Sequence, residues 1–261
     1  MKRICILGKG YIGFRLYKYL LKNIKNNYFI DLISLRENDF KDLSKYDVII
    51  DAADKASGVH NSDLGDKLSF IRSDNKLSAI PYIYLSSTTI YENNIEIISE
   101  EAKINPTNDY QLNKVNNEKL ILKNKRSAAI LRLSNIWGID SPLGTFVGDQ
   151  INSLRLNHTL EITQKDFKTY IDLVHYRDLS NIIYNIVISN YTKNLLLNIC
   201  SGYSFRISFL KQKMMSKECI EKLNISNYKN VFSTQKIKTT GLKIPSSFFY
   251  YYNKYMRILK K

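Results

Sequence analysis

The chain has 261 residues, 44% hydrophobic and 12% aromatic, with only four prolines. That is enough to bury a full core, and it excludes a disordered chain or a staple-dependent mini-protein. The formal net charge of +15 is uneven, because residues 205–261 hold 13 Lys or Arg against two Asp or Glu. Such confinement reads as nucleotide bias in the coding sequence or as a basic wall around an anionic substrate, ahead of a surface for nucleic acid or anionic lipid. Cys5, Cys200 and Cys219, like His60, His158 and His175, are scattered without disulfide or zinc spacing, so no metal is expected. No apolar run approaches a membrane span of about 18 residues, and the opening residues lack a small-residue cleavage site, so a cytoplasmic protein is expected.

The first element signal is "RICILGKGYIGFRLYKYLLKN", an apolar run that turns at glycine and resumes with apolar positions at helical spacing. Gly8, Gly10 and Gly13 form G-x-G-x-x-G between a strand and a helix, with Tyr11 and Ile12 completing the turn. The first glycine permits the tight turn, the second lets backbone approach a pyrophosphate, and the third lets the helix lie close to the sheet. A dinucleotide is therefore the expected cofactor, bound at the helix N-terminus.

The second strand is expected over 28–33, within "NYFIDLISLR". Asp31 then lies inside the strand, whereas Arg36 occupies its end, where a 2'-phosphate would arrive. This favours NADP(H), with NAD(H) the alternative. Asp39 and Phe40 are candidates to border the adenine. A third strand, Val48 to Ile50, ends at Ala52 and Ala53, small enough for a cofactor to lie over the sheet edge. The following "DAADKASG" carries more charge than such a floor requires. A fourth strand, Tyr82 to Leu85, runs into the hydroxyls of Ser86, Ser87, Thr88 and Thr89. Four strands separated by helices or crossovers predict an α/β, Rossmann-like doubly wound parallel sheet with ligands at the carboxyl ends of its strands.

In "NDYQLNKVNNEKLI", Tyr110 and Lys114 are four apart and share one helix face, with Thr107, Asn108 or Asp109 as cap. Ketone reduction by a nicotinamide requires hydride on carbon and a proton on oxygen. A phenol titrates near ~10, and a nearby ammonium favours its phenolate, bringing it towards useful acid–base chemistry. Ser87 is expected to orient the carbonyl, Tyr110 to transfer the proton, and Lys114 to tune the phenol and hold ribose hydroxyls.

These segments resemble the extended short-chain dehydrogenase/reductase family, in particular its NAD-dependent epimerase/dehydratase and nucleotide-sugar reductase branch. The resemblance rests on GKGYIG at 8–13, LSSTTIY at 85–91 and YQLNK at 110–114. It continues through ILRLSNIWG at 130–138, TYIDLVHYRDLSNII at 169–183, LLLNICSG at 195–202 and STQKIKTTGLKIP at 233–245. It implies that Ser87, Tyr110 and Lys114 are the catalytic set. It places Asn135 near a substrate, with Thr88, Thr89 and Arg206 as further contacts, and implies a structural role for His175 and Asp178. The substrate it implies is an anionic sugar attached to a nucleoside diphosphate.

Threonines at 88 and 89, where related dehydratases carry an acid and some epimerase-reductases a cysteine, favour a keto-sugar reductase. A 4-epimerase with tightly held NAD is the runner-up, and a non-catalytic dinucleotide sensor the third reading. The expected division is a dinucleotide-binding domain over 1–138 and a small C-terminal substrate-binding lobe over 139–261, with 169–202 returning to the first sheet. Within that lobe a helix is expected from about Phe146 to Leu156 and a strand around Leu160 to Thr163. The closing "SSFFYYYNKYMRILKK" is expected to pack inside the lobe, with peripheral membrane contact the minor alternative. A homodimer is left open.

Overall fold

The computed structural model describes residues 1–24, 27–36, 42–54, 62–92, 97–125, 127–190, 192–193, 195–217, 228–229 and 231–259. The chain opens with β1 (Lys2–Leu7), α1 (Tyr11–Asn23), β2 (Tyr28–Ile33), β3 (Val48–Asp51), α2 (Ser62–Ser73), β4 (Tyr82–Ser87), α3 (Asp109–Asn124) and β5 (Ala128–Leu133). It continues with β6 (Asn135–Trp137), α4 (Phe146–Arg155), β7 (Tyr170–His175), α5 (Tyr176–Ser189) and β8 (Leu195–Ile199). The last elements are β9 (Ser204–Arg206), α6 (Ile207–Ser216), β10 (Tyr228–Lys229), α7 (Gln235–Thr239) and α8 (Phe248–Leu259).

Two compact units result. The first comprises 1–94, 100–133 and 180–198, and the second 95–99, 134–179 and 199–261. The second unit takes up the chain after Leu133, and the segment returning to the first unit is 180–198.

The first unit holds a six-stranded sheet in the order β2-β1-β3-β4-β5-β8, in which β1 pairs in parallel with both β2 and β3. Strand order reverses at β1, so the crevice outside the carboxyl ends of β1 and β3 is the topological switch point where ligands of such sheets bind. All residues of β3, β4 and β5 are buried, which explains why their sequences are near-continuous apolar runs rather than alternating ones. Helix α1 covers the sheet with Leu16 and Leu20, both essentially inaccessible. Asn108 caps α3, accepting a hydrogen bond from the Gln111 N–H at 3.0 Å.

The second unit has a four-stranded sheet, β10-β9-β7-β6, with β6 and β7 parallel and the other pairs antiparallel. Its core gathers Trp137, Leu173, Phe205, Phe248 and Phe249. The aromatic face of α8 is thus consumed by this core, which is why the closing segment is so rich in aromatic residues. The strand expected around Leu160 to Thr163 is absent. Thr163 instead caps a short 3-10 turn, and Asp166 closes the capping box by accepting from the Thr163 N–H at 2.8 Å. Among the described residues no helix is long and apolar enough to cross a membrane.

Candidate functional site

The glycine turn is built by close backbone approach. Gly8 has φ +102°, and a Cβ there would fall 2.6 Å from the Ala52 carbonyl oxygen. A Cβ on Gly13 would meet the Gly8 carbonyl oxygen at 2.0 Å. Only glycine allows the end of β1, the end of β3 and the start of α1 to meet in this way. Gly10 differs, because among the described residues a Cβ there would meet nothing within 4 Å. It is also the N-cap of α1, makes no side-chain cap, and no acidic residue occupies the first turn. An open glycine at an uncapped helix N-terminus fits a pyrophosphate, whose charge would complement the helix dipole. The turn Gly8–Gly13 and the small Ala52 and Ala53 would hold a dinucleotide.

Within β2, Asp31 accepts a hydrogen bond from the Tyr46 hydroxyl. Burial, followed by that bond, raises the Tyr46 phenol far above its ordinary range. Arg36 lies exposed beyond the strand. Asp39 and Phe40 lie outside the described residues.

Tyr110 and Lys114 do share one face of α3. Lys114 is 5% exposed, and its Nζ donates to the Leu85 carbonyl at 2.6 Å. The same Nζ stands 5.7 Å from the centroid of the half-buried Tyr110 ring. It also makes an ion pair, at 3.0 Å, with the carboxylate of Asp54. Asp54 in turn accepts from Arg72 Nη2 at 2.7 Å and from the Tyr84 hydroxyl. Arg72 Nε reaches Asp51 at 2.9 Å, and the Tyr82 hydroxyl donates to Asp51 at 2.7 Å.

Two carboxylates, a guanidinium and an ammonium therefore form one buried, charge-balanced cluster, the arrangement in which buried charge is tolerated. Burial opposes ionisation of Asp54, but Lys114 and Arg72 outweigh it and hold the carboxyl well below the usual range. Burial and the neighbouring carboxylates push the Tyr82 and Tyr84 phenols far up, so both stay protonated. The carboxylates of Asp51 and Asp54 are thus not an exposed cofactor floor. Sequence spacing had shown the two acids but not Arg72, Tyr82 or Tyr84 as their partners.

Strand β4 extends two residues beyond the expected Leu85, and most of its hydroxyls have protein partners. Ser86 donates to Glu118 on α3, and Thr88 donates to the Leu133 carbonyl at 3.2 Å. Ser87 Oγ accepts from the Thr89 N–H at 3.2 Å and lies 2.9 Å from Thr89 Oγ1. Thr89 is the exposed hydroxyl of the four. Behind them Glu118 takes a bidentate contact from Arg132, with Nε at 3.0 Å and Nη2 at 2.7 Å. Arg132 Nη1 reaches the Tyr91 hydroxyl at 2.7 Å. This network locks the segment that carries Ser87.

In the second unit Asn135 is exposed, and its amide donates to the Asp172 carbonyl at 3.3 Å. Arg206 Nη2 donates to the Tyr170 hydroxyl at 2.9 Å, while its buried Nε has no hydrogen-bond partner among the described residues. His175 is fully buried. Its Nδ1 accepts from the Arg177 N–H at 3.2 Å, and its Nε2 lies 2.8 Å from the Tyr255 hydroxyl. An accepting Nδ1 means a neutral ring with the proton on Nε2, which is a satisfied structural histidine. Asp178 accepts from Tyr251 at 2.6 Å and from the Ser246 N–H at 2.7 Å. Among the described residues no group of His, Cys, Asp or Glu could hold a metal.

A parallel sheet whose switch point carries a glycine turn open at its middle residue defines a Rossmann-like dinucleotide-binding protein. The model of the NAD dependent epimerase/dehydratase family matches residues 4–200, and the chain belongs to that family. No curated protein sequence matches it significantly. Among solved structures it is similar to a dTDP-glucose 4,6-dehydratase from Bacillus anthracis in complex with NAD, at TM-score 0.78 and 13% identity over 100% of this chain and 97% of that one. It is similar to a dTDP-4-dehydrorhamnose reductase from Bacillus anthracis in complex with NADP, at TM-score 0.74 and 15% identity over 100% and 99%. A UDP-glucuronic acid 4-epimerase from Bacillus cereus in complex with NAD gives TM-score 0.73 and 19% identity over 99% and 100%. At such identities the likeness concerns the fold, and these three relatives catalyse different reactions.

Proposed function

We propose that the protein is an NAD(P)-dependent reductase acting on a keto group of a nucleoside-diphosphate-linked sugar. The observation that carries this reading is the Tyr110–Lys114 pair on one face of α3, its ammonium anchored to the Leu85 carbonyl near the carboxyl end of β4. A bound nicotinamide supplies hydride. Tyr110 donates a proton to the substrate oxygen, a step that stops negative charge from accumulating there. Lys114 favours the phenolate that remains and holds ribose hydroxyls. Ser87, fixed at the end of β4 by its bond with the Thr89 N–H, offers its hydroxyl proton to the substrate oxygen. Thr88, Thr89, Asn135 and Arg206 are the proposed substrate contacts, with the hydroxyl of Thr88 acting while it remains bonded to Leu133. NADP(H) is the proposed cofactor, on the strength of Arg36 exposed beyond β2 and of Asp31 being engaged by Tyr46.

The test is a screen of 4-keto nucleotide sugars paired with NADPH and NADH, with product identification. Steady consumption of reduced cofactor with formation of the 4-hydroxy sugar is expected. Interconversion of two hydroxy sugars without net consumption would make the protein a 4-epimerase, and dinucleotide binding without conversion of any sugar would make it a sensor.

A further inference from the structure

Asp54 interrupts the small residues that follow β3, and its carboxylate meets the one lysine on which the proposed chemistry depends. We propose that Asp54 is a positioning residue for the Tyr110–Lys114 pair, pinning the ammonium in place and offsetting part of its charge. The inference deepens the reductase reading and rests on it for its functional meaning.

Lysine carries its charge on a flexible four-carbon stem, so one hydrogen bond to the Leu85 carbonyl leaves its ammonium free to pivot. The ion pair with Asp54 adds a second anchor, at 3.0 Å. Asp54 is itself immobilised by Arg72 and Tyr84, and Arg72 by Asp51. A lone ammonium near a phenol favours the phenolate strongly, whereas an ammonium paired with a carboxylate acts as a dipole whose field falls off faster. Asp54 thereby offsets part of the positive charge beside the Tyr110 ring while it holds the ammonium in place.

The charged and titratable groups that meet this pair come from several elements, and α3 itself carries Asp109 beside Tyr110. The end of β3 provides Asp51 and Asp54, α2 provides Arg72, and β4 provides Tyr82 and Tyr84. One turn further along the same face of α3, Glu118 is paired with Arg132 of β5. The buried Tyr82 and Tyr84 phenols remain protonated well beyond the ordinary tyrosine range.

The test compares Asp54→Asn and Asp54→Glu with the unsubstituted protein, each made with and without Tyr110→Phe. The difference in tyrosinate absorbance within each pair, followed against pH, reports Tyr110 and needs no substrate. With Asn at 54 the Tyr110 signal is expected to rise about one pH unit lower, since the opposing charge is gone. Binding of NADPH or NADH, followed by nicotinamide fluorescence, should weaken about tenfold as the lysine loses an anchor. Glu at 54 keeps the charge, so the midpoint should stay close to that of the unsubstituted protein while binding weakens. A folded Asn variant with an unmoved midpoint would overturn the proposal. If the Asn variant does not fold, the Glu variant decides, and a moved midpoint or unchanged dinucleotide affinity overturns it. Failure of the unsubstituted protein to bind either dinucleotide would remove the reductase reading, while the tyrosinate comparison would still decide the role of Asp54.

Discussion

Changing Tyr110 to Phe removes one oxygen and keeps the ring beside the Lys114 ammonium. Turnover of an accepted keto sugar should fall about 10²-fold or more, the scale of a lost general acid. Binding of NADPH should change little, because Lys114 keeps its contacts with Leu85 and Asp54. Unchanged turnover in stopped-flow or steady-state assays would end the assignment of Tyr110. This pair was legible in the sequence because four residues of helix bring two side chains together, a local rule that needs no tertiary structure. Asp54 was visible only as an unexpected charge. Its partners come from α2, β4 and α3, and no local period connects these elements. The same limit applies to Thr88, whose hydroxyl bond to the Leu133 carbonyl no sequence spacing shows.

At the scale of elements, the glycine turn separates two demands that one motif combines. Gly13 serves packing, since a methyl there would stand 2.0 Å from the Gly8 carbonyl oxygen. Gly13→Ala should destabilise the protein by roughly 1–3 kcal/mol, the usual cost of forced overpacking, read as an earlier urea or thermal transition. Gly10→Val should move that transition less, by the roughly 1 kcal/mol that a poorer N-cap costs, because among the described residues an added Cβ there would meet nothing within 4 Å. It should nevertheless weaken NADPH binding about tenfold or more, by filling the approach to the helix N-terminus. Equal destabilisation by both changes would show that Gly10 is structural. Strands β2 and β3 were legible because compact apolar runs bounded by turn residues have few alternatives. The strand expected at 160–163 has no such run, since Glu161 and Thr163 alternate with Leu160 and Ile162, and Thr163 and Asp166 form a capping box there. Local side-chain hydrogen bonding with the backbone prevailed over strand propensity. In α8 the aromatic pattern told of burial, but only the packing of Phe248, Phe249 and Met256 shows against what.

At the scale of the whole molecule, buried carboxylates divide the pH dependence of stability into two windows. Asp54 is held well below the unfolded carboxylate value, so it stabilises the fold above that value and loses its effect as pH falls through the acid range. Asp172 has the opposite sign. Full burial raises its carboxyl to about 6, despite hydrogen bonds from the Ser201 N–H, the Ser134 hydroxyl and the Ser201 hydroxyl. A group raised in the folded state contributes most below its unfolded value of about 3.9, and that contribution is lost as pH rises through about 6. Two units of difference correspond to roughly 3 kcal/mol between those limits. Asp172→Asn cannot ionise, and its amide oxygen can still accept from the Ser201 N–H and the Ser134 hydroxyl. Urea unfolding of the Asn variant between pH 4 and 7 should therefore lack the decline that the unsubstituted protein shows as pH rises through this range, while both proteins lose stability alike below about pH 4. Parallel curves for the two proteins across the upper window would mean that Asp172 is charged throughout and that its hydrogen-bond donors, rather than its proton, keep it inside the fold.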